Sequence, residues 1–180
     1  NMILAAAEYR EFIRSYPYSP SAAYGQYQIA MTFYKKMLKP GRDPSKTIQA
    51  LAEFKKVITD YPASDQAKEA QEKIKDCEER LAGHSAEIAI GYYQRRGYRA
   101  SVSRLAEIMN SYPNYSRLDT VYFYLADCYF MMKQYDQATP YYTKVITDFP
   151  GKGLAKAATK RLAEIGKLKA APKDAKDKKR

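Results

Sequence analysis

Phe54-Lys-Lys-Val57-Ile58-Thr-Asp-Tyr61-Pro62 reads as the last turns of an amphipathic helix followed by the signal that stops it. Counted back from Tyr61, the apolar residues stand at −3, −4 and −7, a spacing that puts them on one helix face. Pro62 supplies no N–H and disfavours the helical region for Tyr61, so the helix ends there. The same phrase recurs at Tyr9-Arg-Glu-Phe12-Ile13-Arg-Ser-Tyr16-Pro17, at Leu105-Ala-Glu-Ile108-Met109-Asn-Ser-Tyr112-Pro113 and at Tyr142-Thr-Lys-Val145-Ile146-Thr-Asp-Phe149-Pro150. Position −11 is small each time (Ala5, Ala50, Ser101, Ala138), which lets a neighbouring helix come close. Counted forward from each Pro, position +12 is Ile29, Ile74, Leu125 and Leu162, inside a second helix that answers the first. Antiparallel helix pairs with an aromatic-Pro stop are the tetratricopeptide pattern, whose usual period is about 34 residues.

The spacings between these prolines are 45, 51 and 37 residues. The first excess is an insertion, Lys35 to Pro44, where Pro40, Gly41 and Pro44 force a loop before a helix starts at Ser45. The second is a long first helix: from Ser64 to Arg96 only Gly83 interrupts the pattern, at a cost of about 1 kcal/mol relative to Ala. The spacing predicts one helix of about thirty residues, with a break at Gly83-His84-Ser85 as the alternative. A final helix from Gly153 to Lys169 docks Leu154, Ala158, Leu162 and Ile165 and leaves Lys156, Lys160, Arg161 and Glu164 wet, capping the array. The expected fold is therefore all-α, a tetratricopeptide-like α-solenoid of antiparallel helix pairs with one long helix and a C-terminal capping helix. Its domain spans residues 1–169, truncated at its N-terminus, and a basic disordered tail occupies 170–180.

Composition agrees. The chain has 180 residues, 46% of them hydrophobic, with 18 Tyr, no Trp and only 8 Gly, which suits helices joined by short turns. No run approaches the roughly 20 apolar residues of a membrane-spanning helix. Asn1 opens directly into a helical pattern, so the chain reads as a fragment, with any targeting or lipid signal outside it. Of the formal charge of +11, Lys167 to Arg180 holds six Lys, one Arg and two Asp, which is +5, and the body keeps +6. Such a tail reads first as a solvated segment; an alternative is contact with nucleic acid or an anionic membrane. The body has no basic stripe interleaved with aromatics, so nucleic acid is not an expected partner.

No catalytic or metal constellation emerges, and neither an enzyme nor a cofactor is expected. His84 stands without a second imidazole or ligand cluster. Cys77 and Cys128 each lie 15 residues after their Pro, in equivalent places of different repeats, and read as small buried residues. The sequence shows no Gly-rich phosphate loop, no Gly-x-Ser-x-Gly elbow and no paired-carboxylate arrangement on facing elements. The helix between Ser21 and Leu38 is apolar over a wide arc, and its Tyr24, Tyr27, Met31 and Tyr34 form a stripe. Either they line a groove that holds a guest peptide, or a further N-terminal unit covers them. Tyr122-Phe123-Tyr124 with Tyr129-Phe130 reads as core.

The run Arg42-Asp43-Pro44, Phe54, Tyr61-Pro62, Arg80-Leu81-Ala82, Glu87-Ile-Ala-Ile-Gly-Tyr92-Tyr93-Gln-Arg-Arg96-Gly97 and Ser103-Arg104-Leu105 to Tyr112-Pro113 resembles the BamD family of outer-membrane assembly lipoproteins. The resemblance covers residues 1–150, and its most specific part is the long helix ending in Tyr-Tyr-x-x-Arg-Gly. It implies a non-enzymatic scaffold on the periplasmic face of the bacterial outer membrane, held there by an N-terminal lipid. The partners it implies are the periplasmic domains of the barrel-forming assembly protein, other assembly lipoproteins, and unfolded outer-membrane protein segments. By the match, Arg104 takes the place of a family arginine at the contact with the barrel-forming protein, and Arg96 is a second candidate. An alternative is another periplasmic tetratricopeptide adaptor, such as the partner of the Tol-Pal system; the long helix and the Arg-Asp-Pro loop favour the first.

Overall fold

The computed structural model describes residues 2–170, and all the regular structure in them is α-helix. In order these are α1 (Met2–Ser15), α2 (Ala22–Tyr34), α3 (Ser45–Asp60), α4 (Asp65–Gln94), α5 (Tyr98–Ser111), α6 (Leu118–Met131), α7 (Tyr135–Asp148) and α8 (Gly153–Ala170). The architecture is all-α and tetratricopeptide-like. Helices α1, α3, α5 and α7 stop one residue before the aromatic of each aromatic-Pro pair. Tyr61, Tyr112 and Phe149 share nearly one backbone geometry, φ −135°, −133° and −132° with ψ 54°, 63° and 48°, because the following ring drives each out of the helical region.

The chain divides into two compact units, residues 1–87 and 88–180, and α4 runs unbroken through the boundary. In the first unit α2 packs on α1 and α3. Tyr27, Ala30, Ala50, Phe54, Val57, Ala70 and Cys77 form its core. Phe54 is wholly buried, a contribution of about 2–3 kcal/mol. The insertion is a loop over residues 35–44, in which Gly41 adopts φ +84°. Asp43 Oδ1 accepts from the Ser45 N–H at 3.0 Å and from its hydroxyl at 2.6 Å, which holds the start of α3. Ser64 Oγ likewise accepts from Ala67 N at 3.1 Å and starts α4. Gly83 causes no break: Leu81, Ala82 and Ala86 around it are buried, and packing outweighs the cost of glycine.

In the second unit α6 lies against α5 and α7, and α8 packs on α7. Its core is Ala126, Phe130, Ala138, Tyr142, Val145, Ala158 and Ile165, with Tyr122, Phe123 and Tyr129 packed against it. The small residues Ser101 and Ala138 are fully buried, as is Ala50 in the first unit, whereas Ala5 is only half-buried. The Ser101 hydroxyl donates to the Ala89 carbonyl at 2.8 Å. Two turns share one form. The N–H of Gly97 bonds to Tyr92 O and that of Arg96 to Tyr93 O; the N–H of Gln134 bonds to Tyr129 O and that of Lys133 to Phe130 O, all at 2.9 Å. These are Schellman turns, and their left-handed residues are Arg96 and Lys133, both at φ 62°, where glycine is usual.

The capping helix corrects one expectation. Ala158 and Ile165 are buried and Lys156, Lys160 and Glu164 are exposed, but Arg161 is not a wet residue. It is half-buried and reaches Asp127 on α6, as described below. Helix α8 extends to Ala170; the rest of the expected basic tail, 171–180, lies outside the described residues. Among the described residues no helix is long and apolar enough to cross a membrane.

Candidate docking surfaces

Arg104 sits midway along α5 with its side chain 52% exposed, paired among the described residues with Glu107 at 3.4 Å one turn on. An exposed pair of that length is worth little, so the guanidinium is free to exchange partners. Arg96 is exposed in the α4–α5 turn, its direction set by the left-handed backbone. Both residues belong to the second unit.

The four aromatic-stripe residues do not share one open groove. Tyr27 is 8% exposed with its ring 5.6 Å from Phe54. Met31 packs against the same core. Tyr34 donates its hydroxyl to Asp76 at 2.7 Å and carries Lys73 over its ring at 4.7 Å. Burial and then the Asp76 carboxylate push the Tyr34 phenol up to about 12. Helices α3 and α4 thus cover three of the four. Tyr24 remains 48% exposed, edge-on to Tyr9 at 6.3 Å. With Ala5, Glu8, Tyr9, Phe12 and Ser21 it lines an open cleft of about 470 Å³ between α1 and α2.

A polar node that the sequence pattern did not announce lies in the second unit. Asp127, with 4% of its side chain exposed, accepts from Arg161 Nε at 2.8 Å, from the Tyr142 hydroxyl at 2.6 Å and from the Tyr93 hydroxyl. Arg161 also lies over the Phe130 ring at 4.4 Å. Donors from α4, α7 and α8 therefore converge on one carboxylate of α6. Burial first, and the neighbouring carboxylate second, push the Tyr93 and Tyr142 phenols well above their ordinary value. All three donors are satisfied, so the node fixes helix positions and has no open coordination for a ligand.

Known proteins carry the same pattern. The sequence model of the YfiO family, described as an outer membrane lipoprotein, matches residues 1–140. The chain belongs to that family. Curated relatives bear the name "Outer membrane protein assembly factor BamD". The Caulobacter vibrioides protein is 30% identical over 142 residues, 78% of this chain and 46% of the relative. The Rickettsia prowazekii protein is 26% identical over 156 residues, 82% of this chain and 62% of the relative. The Vibrio cholerae protein is 34% identical over 73 residues, 41% of this chain and 30% of the relative. The chain thus spans about half the length of the first two relatives.

In this YfiO-family chain the remaining candidates for chemistry are structural. Cys77 and Cys128 are free and buried, and burial pushes their thiols up to about 12 and about 11, too high for a reactive thiolate. His84 Nδ1 is buried without a hydrogen-bond partner, beside a cavity of about 10 Å³ under the insertion loop, room for about one water. Among the described residues no group of three or more His, Cys, Asp or Glu could hold a metal ion.

Proposed function

We propose that this chain is a non-catalytic scaffold of outer-membrane protein assembly that docks the periplasmic domains of the barrel-forming assembly protein through Arg104, with Arg96 of the same unit as a second candidate contact. Family membership, together with relatives named as outer membrane protein assembly factors, is the observation that carries this reading. Helical-hairpin repeats suit the role, because stacked rigid hairpins present side chains to protein partners without a catalytic centre. The place of action is the periplasmic face of the outer membrane, with a lipid anchor on the whole protein, where other assembly lipoproteins join the complex. The cleft lined by Tyr24 and Tyr9 is the place for a segment of an unfolded outer-membrane protein, since phenol rings can both stack on a guest and hydrogen-bond its backbone.

The test is a charge reversal. Arg104→Glu removes an exposed guanidinium whose own ion pair is weak, so helicity should persist while capture of the barrel-forming protein's periplasmic domains falls by about tenfold or more. Unchanged capture with an intact helical spectrum removes Arg104 from the interface. Tyr24→Ala separately reports on the cleft: undiminished binding of unfolded barrel segments assigns those guests elsewhere.

A further inference from the structure

The α4–α5 turn carries charge that no carboxylate among the described residues pairs with. Between Glu87 and Glu107 the chain has four arginines and no carboxylate. Arg95, Arg96 and Arg99 are all exposed, and among the described residues none has an ion-pair or side-chain hydrogen-bond partner. Elsewhere on the surface, cations commonly stand one turn from a carboxylate: Arg14 with Glu11, Lys75 with Glu72, Lys144 with Asp148. Here three like charges fall within five positions and repel one another, and the first turn of α5 holds no acid.

Two apolar side chains adjoin the charges. Ile88 and Tyr92 stand at i and i+4 of α4, which is one face of the helix, and Arg95 follows in the turn one residue past its last position. Ile88 is 39% and Tyr92 38% exposed. The turn that presents the charges is closed by two hydrogen bonds, from the Gly97 and Arg96 N–H groups, and Arg96 is held at φ 62°, a conformation that costs a side-chain-bearing residue about 1–2 kcal/mol. Self-repelling charge, exposed tyrosine and arginine, and stored backbone strain meet on one hairpin end. Tyrosine and arginine are also the residue types that dominate binding hot spots.

We propose that this hairpin end is a docking stripe for an acidic protein segment that sets carboxylates on Arg95, Arg96 and Arg99 and an apolar side chain against Ile88 and Tyr92. Charge complementarity selects the occupant: the planar guanidinium fork matches a carboxylate in two parallel hydrogen bonds. A nucleic-acid strand needs a longer basic track with stacking platforms, and a membrane surface needs a broad basic face. The stripe deepens the docking reading by naming the partner's chemistry, and it rests on that reading only in taking the second unit as a landing place for protein.

A random dodecapeptide library displayed on phage, selected against the whole chain, tests the stripe. The parent should enrich peptides with two or more carboxylates and an apolar residue. The variant carrying Arg95→Gln and Arg99→Gln should enrich none of them, and should bind the synthesised consensus peptide about tenfold or more weakly. Tyr92→Ala should weaken the same peptide while the helical circular-dichroism spectrum of every variant stays that of the parent. A consensus without carboxylates, or one that the double Gln variant enriches equally, overturns the proposal. So does binding to phosphatidylglycerol vesicles or to single-stranded DNA with no acidic peptide enriched. Arg104→Gln serves as the separating control: removing that charge without reversing it should weaken the consensus peptide far less than Arg95→Gln with Arg99→Gln does, so failure of the Arg104 contact and failure of the stripe are told apart.

Discussion

Replacing Arg161 with Met tests whether the capping helix is locked by charge or merely by oil. The substitution keeps the aliphatic stem and removes the guanidinium. Asp127 then keeps two phenol donors but loses its cation, in a place where only 4% of its side chain meets solvent. Breaking a fully buried ion pair on one side costs about 3–5 kcal/mol. Arg161 is 30% exposed, so water can enter and soften the loss, which brings the expected cost to about 2–3 kcal/mol, including the contact with the Phe130 ring. In a protein of this size that lowers Tm by about 4–12 °C. Thermal and urea unfolding followed by circular dichroism read it directly. Asp127→Asn alone, and the two changes together, complete a double-mutant cycle, which should return a coupling of about 1–2 kcal/mol, because once the guanidinium is gone the carboxylate is a liability. Arg161→Met within about 0.5 kcal/mol of the parent, or no measurable coupling, would refute the lock.

Other consequences are open to simpler assays. Lys133→Gly relieves a left-handed backbone at an exposed position and should stabilise by about 0.5–1 kcal/mol; a lower Tm contradicts the strain. Cys77 and Cys128 should stay silent to a thiol-disulfide reagent at about pH 8 in the folded protein and react in denaturant, and a fast native thiol would mean an opening at one of the two sites. The phenols of Tyr34, Tyr93 and Tyr142 are raised above their ordinary value of 10.0 in the fold, so the stability they lend is complete below about pH 10 and falls as pH climbs above it, when the unfolded chain ionises first. The urea midpoint should therefore be lower at about pH 11 than at about pH 9; a flat profile contradicts the native burial of these hydroxyls.

How far the chain could be read before the structure depended on the range of each interaction. Helix ends were legible because proline acts on its immediate neighbour, and Tyr61, Tyr112 and Phe149 all stop as that rule requires. The continuity of α4 through Gly83 was legible as the favoured of two choices, since one glycine costs less than the packing of Leu81, Ala82 and Ala86 returns. The wide apolar arc of α2 left two readings open, a groove for a guest or cover by a further N-terminal unit. Which tyrosines would stay open depended on where α3 and α4 lie, and that is long-range information: Tyr27 is buried, Tyr34 is half-buried with its hydroxyl on Asp76, and Tyr24 stays exposed. Arg161 was misread because helix periodicity treats every arginine as wet. A clue was present in α6, where Asp127 is the only charged residue from Thr120 to Met132 and so calls for a buried partner. No local pattern says that the partner sits 34 positions later. Arg104 and Arg96 came from family resemblance, and their exposure on the second unit is what makes them testable.

The scaffold account stands or falls on one titration: the parent chain and Arg104→Glu, each added to the purified periplasmic domains of the barrel-forming assembly protein in a calorimeter. Saturable one-to-one heat for the parent and a loss of about tenfold or more for the variant is the predicted result. No saturable heat from the parent would contradict the account.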